Sequence, residues 1–106
     1  MARYLALWRW NTAVQWPTGS EGLKLTEKSL ATIDDLIKKG EIEEYGFFPD
    51  GGSGYMICKG ESTDMYRISG MLQPYMLSEV HEIIPWEKAK EIALSMGKVM
   101  VEEARK

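Results

Sequence analysis

A chain of 106 residues, 44% apolar and 27% charged, has the length of one domain and the composition of an ordinary globular protein. Its 13 Lys and Arg are scattered and outnumbered by 16 Asp and Glu, giving a net charge of -3, which argues against nucleic acid because phosphate neutralisation needs clustered basic residues. Cys58 is the single cysteine, so no internal disulfide forms and a reduced, cytoplasmic setting is expected; no run approaches the ~20 apolar residues of a membrane span, and the opening "MARYLALWRWN", broken by Arg9, is too short for a signal peptide.

The first element in chain order is a strand, "RYLALWRW", in which Tyr4, Ala6, Trp8 and Trp10 alternate with Arg3, Leu5, Leu7 and Arg9. Both sets are largely apolar, so both faces of this strand are expected to be covered. The polar segment "NTAVQWPTGSEG" reads as a long loop. From Thr26 the period becomes helical: Leu30, Ile33, Leu36 and Ile37 form one stripe, Thr26 caps the start, and Gly40 closes the helix in a left-handed conformation. "EIEEYGFF" and "GYMICKG" follow as two strands. A shorter helix is predicted from Thr63 to Gln73, capped by Ser62 or Thr63 and ended by Pro74. "LSEVHEII" is a fourth strand. Pro85 then opens a helix over about 86–105, with Ala89, Ile92, Ala93, Met96, Val99 and Met100 on one side. The pairs Lys38-Lys39 and Arg105-Lys106 fall at helix C-termini, where positive charge suits the dipole.

The segment "FPDGGSGY" places three glycines in four positions, Gly51 to Gly54, between two predicted strands. A phosphate loop needs a following helix to supply amides and dipole, and none follows. Asp-Gly tolerates positive φ, so the segment is read as a hairpin turn.

The resulting order, β-α-β-β-α-β plus a terminal helix, predicts an α+β, ferredoxin-like domain over 1–106: a four-stranded antiparallel sheet with two helices on one face. Trp8, Trp10 and Phe48 are expected to form an apolar patch on the other face, too large to stand in water and covered by a second copy, sheet against sheet. The same three residues are candidates for binding a small, partly apolar molecule.

His81 is the only histidine, so a multi-histidine metal site is impossible, and neither metal nor cofactor is expected. Alternation puts Glu79 on its face and Glu82 on the opposite one. His81 or Glu79 is the candidate general base, and Tyr55 or Tyr75 the candidate hydrogen-bond donor. The plainer reading of His81 is a half-buried strand histidine. Cys58, between Ile57 and Lys59, reads as a small core residue rather than a nucleophile. Glu41, Glu43 and Glu44 read as a solvated edge.

With that order in place, "LQPYMLSEVHEIIP" (Leu72 to Pro85) resembles the end of muconolactone isomerase-like proteins, where a proline-aromatic pair leads into a last strand bearing Glu-Val. "IKKGEIEEYGFFPDGGSGYMICKGES" resembles a group of small uncharacterised prokaryotic proteins of the same dimeric α+β barrel superfamily. The likeness runs from about Trp16 to Trp86. It implies a homodimer, or a higher oligomer built from it, with a cleft between each sheet and its helices. It also implies either cofactor-free proton transfer on a small molecule or simple binding. No isomerase motif matches residue by residue, so no catalytic assignment is carried over. The loop before the first helix and the terminal helix both depart from the isomerase pattern. The alternative function is a non-catalytic structural or interaction module.

Overall fold

In the computed structural model, which describes residues 2–71 and 73–105, the chain runs β1 (Ala2–Trp10), α1 (Gly19–Lys38), β2 (Ile42–Phe47), β3 (Ser53–Gly60), α2 (Ser62–Gly70), β4 (Met76–Ile83) and α3 (Trp86–Arg105). Leu72, which the sequence places in the second helix, and Lys106, of the C-terminal basic pair, lie outside the described residues. The strands form one antiparallel sheet in the order β2-β3-β1-β4. The fold is α+β, in an order compatible with the ferredoxin-like arrangement.

The core lies on the face of the sheet that carries Tyr4 and Ala6 of β1, Ile42 of β2, and Met56 and Cys58 of β3. Leu36 of α1 and Met65 and Ile68 of α2 close over them. Lateral pairing makes the assignment: Tyr4 lies opposite Cys58, Ala6 opposite Met56, and Ile42 opposite Cys58 on the other side.

This face also carries Trp8 and Trp10, which corrects the expected patch. Trp8 is 1% exposed within its own chain, so no second copy is needed to hide it. The alternation was right and the choice of face was wrong. The arginines marked the outer set: Arg3 donates to the Glu43 carboxylate at 2.8 Å on the open face, where guanidinium groups keep access to water. Phe48 is on that outer side, stacked on Tyr55 with ring centroids 6.0 Å apart. The open face has half-buried Leu5, Leu7, Tyr55, Ile57 and Leu77 at its centre and charged groups around them.

Three helix details depart from expectation. α1 begins at Gly19, not Thr26. Its first turns carry glycines and polar residues and so present no apolar stripe, yet Gly22 is buried against the Pro17 carbonyl, where any side chain would clash. Thr26 is therefore inside the helix, its hydroxyl donating to the Gly22 carbonyl at 2.9 Å. The stripe itself is only partly covered, with Leu36 buried and Leu30 and Ile37 exposed. α2 is capped by Glu61 rather than Ser62 or Thr63, with the Asp64 carboxylate accepting from the Glu61 N–H at 2.9 Å, and it ends at Gly70. Nor is the acidic stretch merely a solvated edge: Glu43 also reaches Lys59 at 3.2 Å, and Glu41 pairs with Arg67.

The glycine segment is the β2–β3 hairpin. Gly51 has φ +75°, and the Asp50 carboxylate accepts from the Gly52 N–H at 2.9 Å and from the Ser53 hydroxyl. The Gly52 amide, then Ser53, hold the Asp50 carboxyl below its ordinary 3.8. A folded-state pKa below the unfolded value means that the stabilisation is fully present above pH 3.8 and fades as pH falls through the lower folded value. The acid limb of a thermal-melt series on Asp50→Ala is expected to be shallower than wild type for this reason. Superimposable limbs would remove Asp50 from that role.

α3 stands apart. None of its residues is buried, and among the described residues no other element packs along it. The molecule measures 70 × 30 × 24 Å with a radius of gyration of 19.0 Å, against about 13 Å for a compact chain of this length. A projecting helix of 20 residues, about 30 Å long, accounts for the excess.

Candidate functional site

Between the sheet and the middle of α1, from Leu25 to Ile33, lies a cleft of about 670 Å³. Side-chain size explains why it is open. α1 sits down on the sheet at Leu36 and packs on β2, but through its middle it turns Ser29 and Thr32 to the cleft beside Leu25 and Ile33. Two small hydroxylated residues cannot fill a gap bridged elsewhere by leucine. Both hydroxyls, like that of Thr26, donate to carbonyls one turn back at 2.9 Å, leaving oxygen lone pairs as acceptors.

The floor is a connected run of aromatic rings. Phe47 meets Trp8 edge-on with centroids 4.8 Å apart, and Tyr45 stacks on Trp8 at 5.7 Å. Trp8 meets Trp10 at 6.0 Å, Trp10 meets Trp16 at 5.1 Å, and Trp16 meets Tyr75 at 4.9 Å, all edge to face. Four segments supply these rings. Strands β1 and β2 bring Trp8, Trp10, Tyr45 and Phe47. The loop after β1 brings Trp16, and the segment before β4 brings Tyr75. Asn11 ties the last two segments together: its backbone N–H donates to the Tyr75 carbonyl at 2.8 Å and its side-chain amide to the Pro74 carbonyl at 3.0 Å. The hairpin tip fixes Trp10, whose backbone N–H donates to the Gly52 carbonyl at 3.0 Å.

Gly54 gives Trp8 its seat. It lies within β3, not in the turn, and a Cβ there would overlap both the Trp8 ring and the Gly46 carbonyl. The indole Nε1 of Trp8 is buried with no hydrogen-bond partner among the described residues.

The ionisable lining is sparse. Among the described lining residues it comprises Lys28, Tyr45 and Tyr75. Burial pushes the Tyr45 phenol up to about 12, so it stays protonated. Lys28, on the exposed rim, has no carboxylate partner among the described residues.

The candidate acid-base residues are not brought together. His81 and Glu79 share the open face of β4, with Nε2 and Oε1 3.5 Å apart and side chains 55% and 70% exposed. Tyr55 is on the same face, but Leu7 lies between it and Glu79 in the lateral row. Tyr75 belongs to the cleft on the opposite side of the sheet. Of the ligand-binding candidates, Trp8 and Trp10 line the cleft and Phe48 does not. Cys58 is fully buried, and burial, then Glu43 and Glu41, push its thiol up to about 11, which suits a packing role. Among the described residues no group of three His, Cys, Asp or Glu is placed to hold a metal ion, and no helix is long and apolar enough to cross a membrane.

By sequence Trp16, Tyr45 and Phe47 stand only among the nine aromatics Tyr4, Trp8, Trp10, Trp16, Tyr45, Phe47, Phe48, Tyr55 and Tyr75 that could line an apolar pocket, most of them expected as core or dimer contacts, and Asn11 was missed. The usable signal was a tryptophan in the polar connection after the first strand. No protein-family model matches the chain, and comparison with curated proteins and with solved structures finds no match either.

Proposed function

We propose that this protein binds a small, flat, partly apolar molecule in the aromatic cleft, with an acceptor or anionic group of the ligand turned toward Lys28. The observation that carries the reading is a 670 Å³ space floored by linked rings and nearly free of ionisable groups. Its volume suits a small-molecule site, and its lining suits holding rather than proton transfer. We place this protein in the cytoplasm as a ferredoxin-like homodimer whose open sheet face is covered by a second copy.

Titration calorimetry with 2-naphthoate tests the cleft. Binding is expected to weaken at least tenfold on Trp16→Ala, and to be abolished by Ser29→Trp, which fills the gap from α1. His81→Ala combined with Glu79→Gln is expected to leave it unchanged. Binding that survives Ser29→Trp, or that is lost with the His81 and Glu79 changes, would overturn the assignment.

A second reading, isomerase-like proton transfer, is favoured by the approach of His81 to Glu79. It requires a second copy to enclose that pair, since both side chains are more than half exposed.

A further inference from the structure

α3 displays a large apolar surface that its own chain leaves bare. Ile92, Leu94, Met96, Val99, Met100 and Val101 are each 51–69% exposed. At 3.6 residues per turn the apolar arc, from Val99 round to Leu94, spans roughly 220° of the helix. Only Lys90 and Glu103 interrupt it. An arc of that width exceeds the stripe of about 100° that a helix turns to a single core. It needs walls on more than one side.

Charge selects the kind of occupant. A helix lying on a lipid surface carries a polar face rich in Lys and Arg. The polar residues of α3 are balanced instead, Glu87, Glu91, Glu102 and Glu103 against Lys88, Lys90, Lys98 and Arg105. That balance, with a chain net charge of -3, points to protein rather than membrane or nucleic acid. The same chain offers a matching surface, the open sheet face centred on Leu5, Leu7 and Ile57. A helix about 30 Å long and 10 Å wide covers a footprint of roughly 300 Å², so two arms docked reciprocally bury on the order of 1,200 Å² over both surfaces, within the range of a stable interface.

We infer that α3 is an exchange arm: in a symmetric dimer each copy lays its α3 against the other copy, which covers the apolar arc. The arm is independent of the ligand reading of the cleft, and it is the alternative to sheet-against-sheet packing as the cover of the open face, since one face does not hold both.

Size-exclusion chromatography with light scattering on the full chain at ~50 µM tests it, with near-ultraviolet circular dichroism reporting that the aromatic cleft is intact. Wild type is expected at twice the 12.1 kDa of one chain. The double variant Met96→Glu, Met100→Glu is expected at the one-chain mass with the circular dichroism unchanged, because α3 contributes nothing to the core. Ser95→Glu, on the polar side, is expected to keep the doubled mass. A double variant that remains dimeric would overturn the arm while leaving the sheet-to-sheet dimer standing. A monomeric wild type would overturn both, and flotation of that monomer with anionic-lipid vesicles would reassign α3 to a membrane surface. Loss of the dimer in Ser95→Glu would also overturn the inference, since that side chain points away from the proposed contact. Unchanged 2-naphthoate binding in any of these variants keeps the cleft reading separate.

Discussion

Replacing Trp8 by alanine is expected to lower the unfolding free energy by ~3–5 kcal/mol, as truncation of a large buried aromatic does. The side chain is 1% exposed and contacts three other rings, Trp10, Tyr45 and Phe47. Denaturant titration followed by far-ultraviolet circular dichroism measures the loss. Trp8→Phe separates packing from polarity. It keeps a ring while removing a buried N–H that has no acceptor among the described residues, and leaving such a donor unpaired carries a desolvation cost. The phenylalanine variant is therefore expected to retain most of the stability that alanine loses. Equal losses in the two variants would show that the indole N–H is satisfied in solution.

Gly54→Ala is expected to destabilise by about 1–3 kcal/mol, the usual cost of overpacking, lowering Tm by roughly 5–15 °C for a domain of this size. One methyl group suffices because the added carbon meets the Gly46 backbone carbonyl on one side and the Trp8 ring on the other. Moving the first would separate β2 from β3, and moving the second would collapse the cleft floor. Gly52→Ala is the control: its nearest neighbour would be Trp10 Cδ1 at an ordinary 3.5 Å. Thermal melts of the two variants are expected to differ by most of that interval. Equal melting temperatures would mean that Trp8 has another rotamer at little cost.

The strand pattern was legible because alternation survives in the sequence whatever covers the sheet. Four strands and their order along the chain could be read from it. The face assignment could not be read from hydrophobicity alone, since Leu5 and Leu7 are as apolar as Ala6. The arginines at positions 3 and 9 held that information, because Arg3 meets Glu43 on the outer side and Arg9 is exposed there. The start of α1 was hidden for a different reason. Gly22 helps by fitting against Pro17 of the preceding loop, a local close approach that overrides its poor helix propensity. The cleft was least visible, as Trp16 and Tyr75 are distant in sequence and meet only because Asn11 joins their segments. The hairpin was legible from Asp-Gly, but the fourth residue of the run, Gly54, serves the tryptophan and not the turn.

The placement of the four indoles gives the protein two intrinsic optical reporters. Trp8, Trp10 and Trp16 lie in one array of touching rings, whereas Trp86 is 71% exposed at the root of α3. Emission from the array is expected to shift or quench on occupation of the floor. The long-wavelength emission of Trp86 is expected to move to the blue on burial of its helix. A single unlabelled sample therefore offers separate signals for the two proposals, guest uptake and subunit pairing.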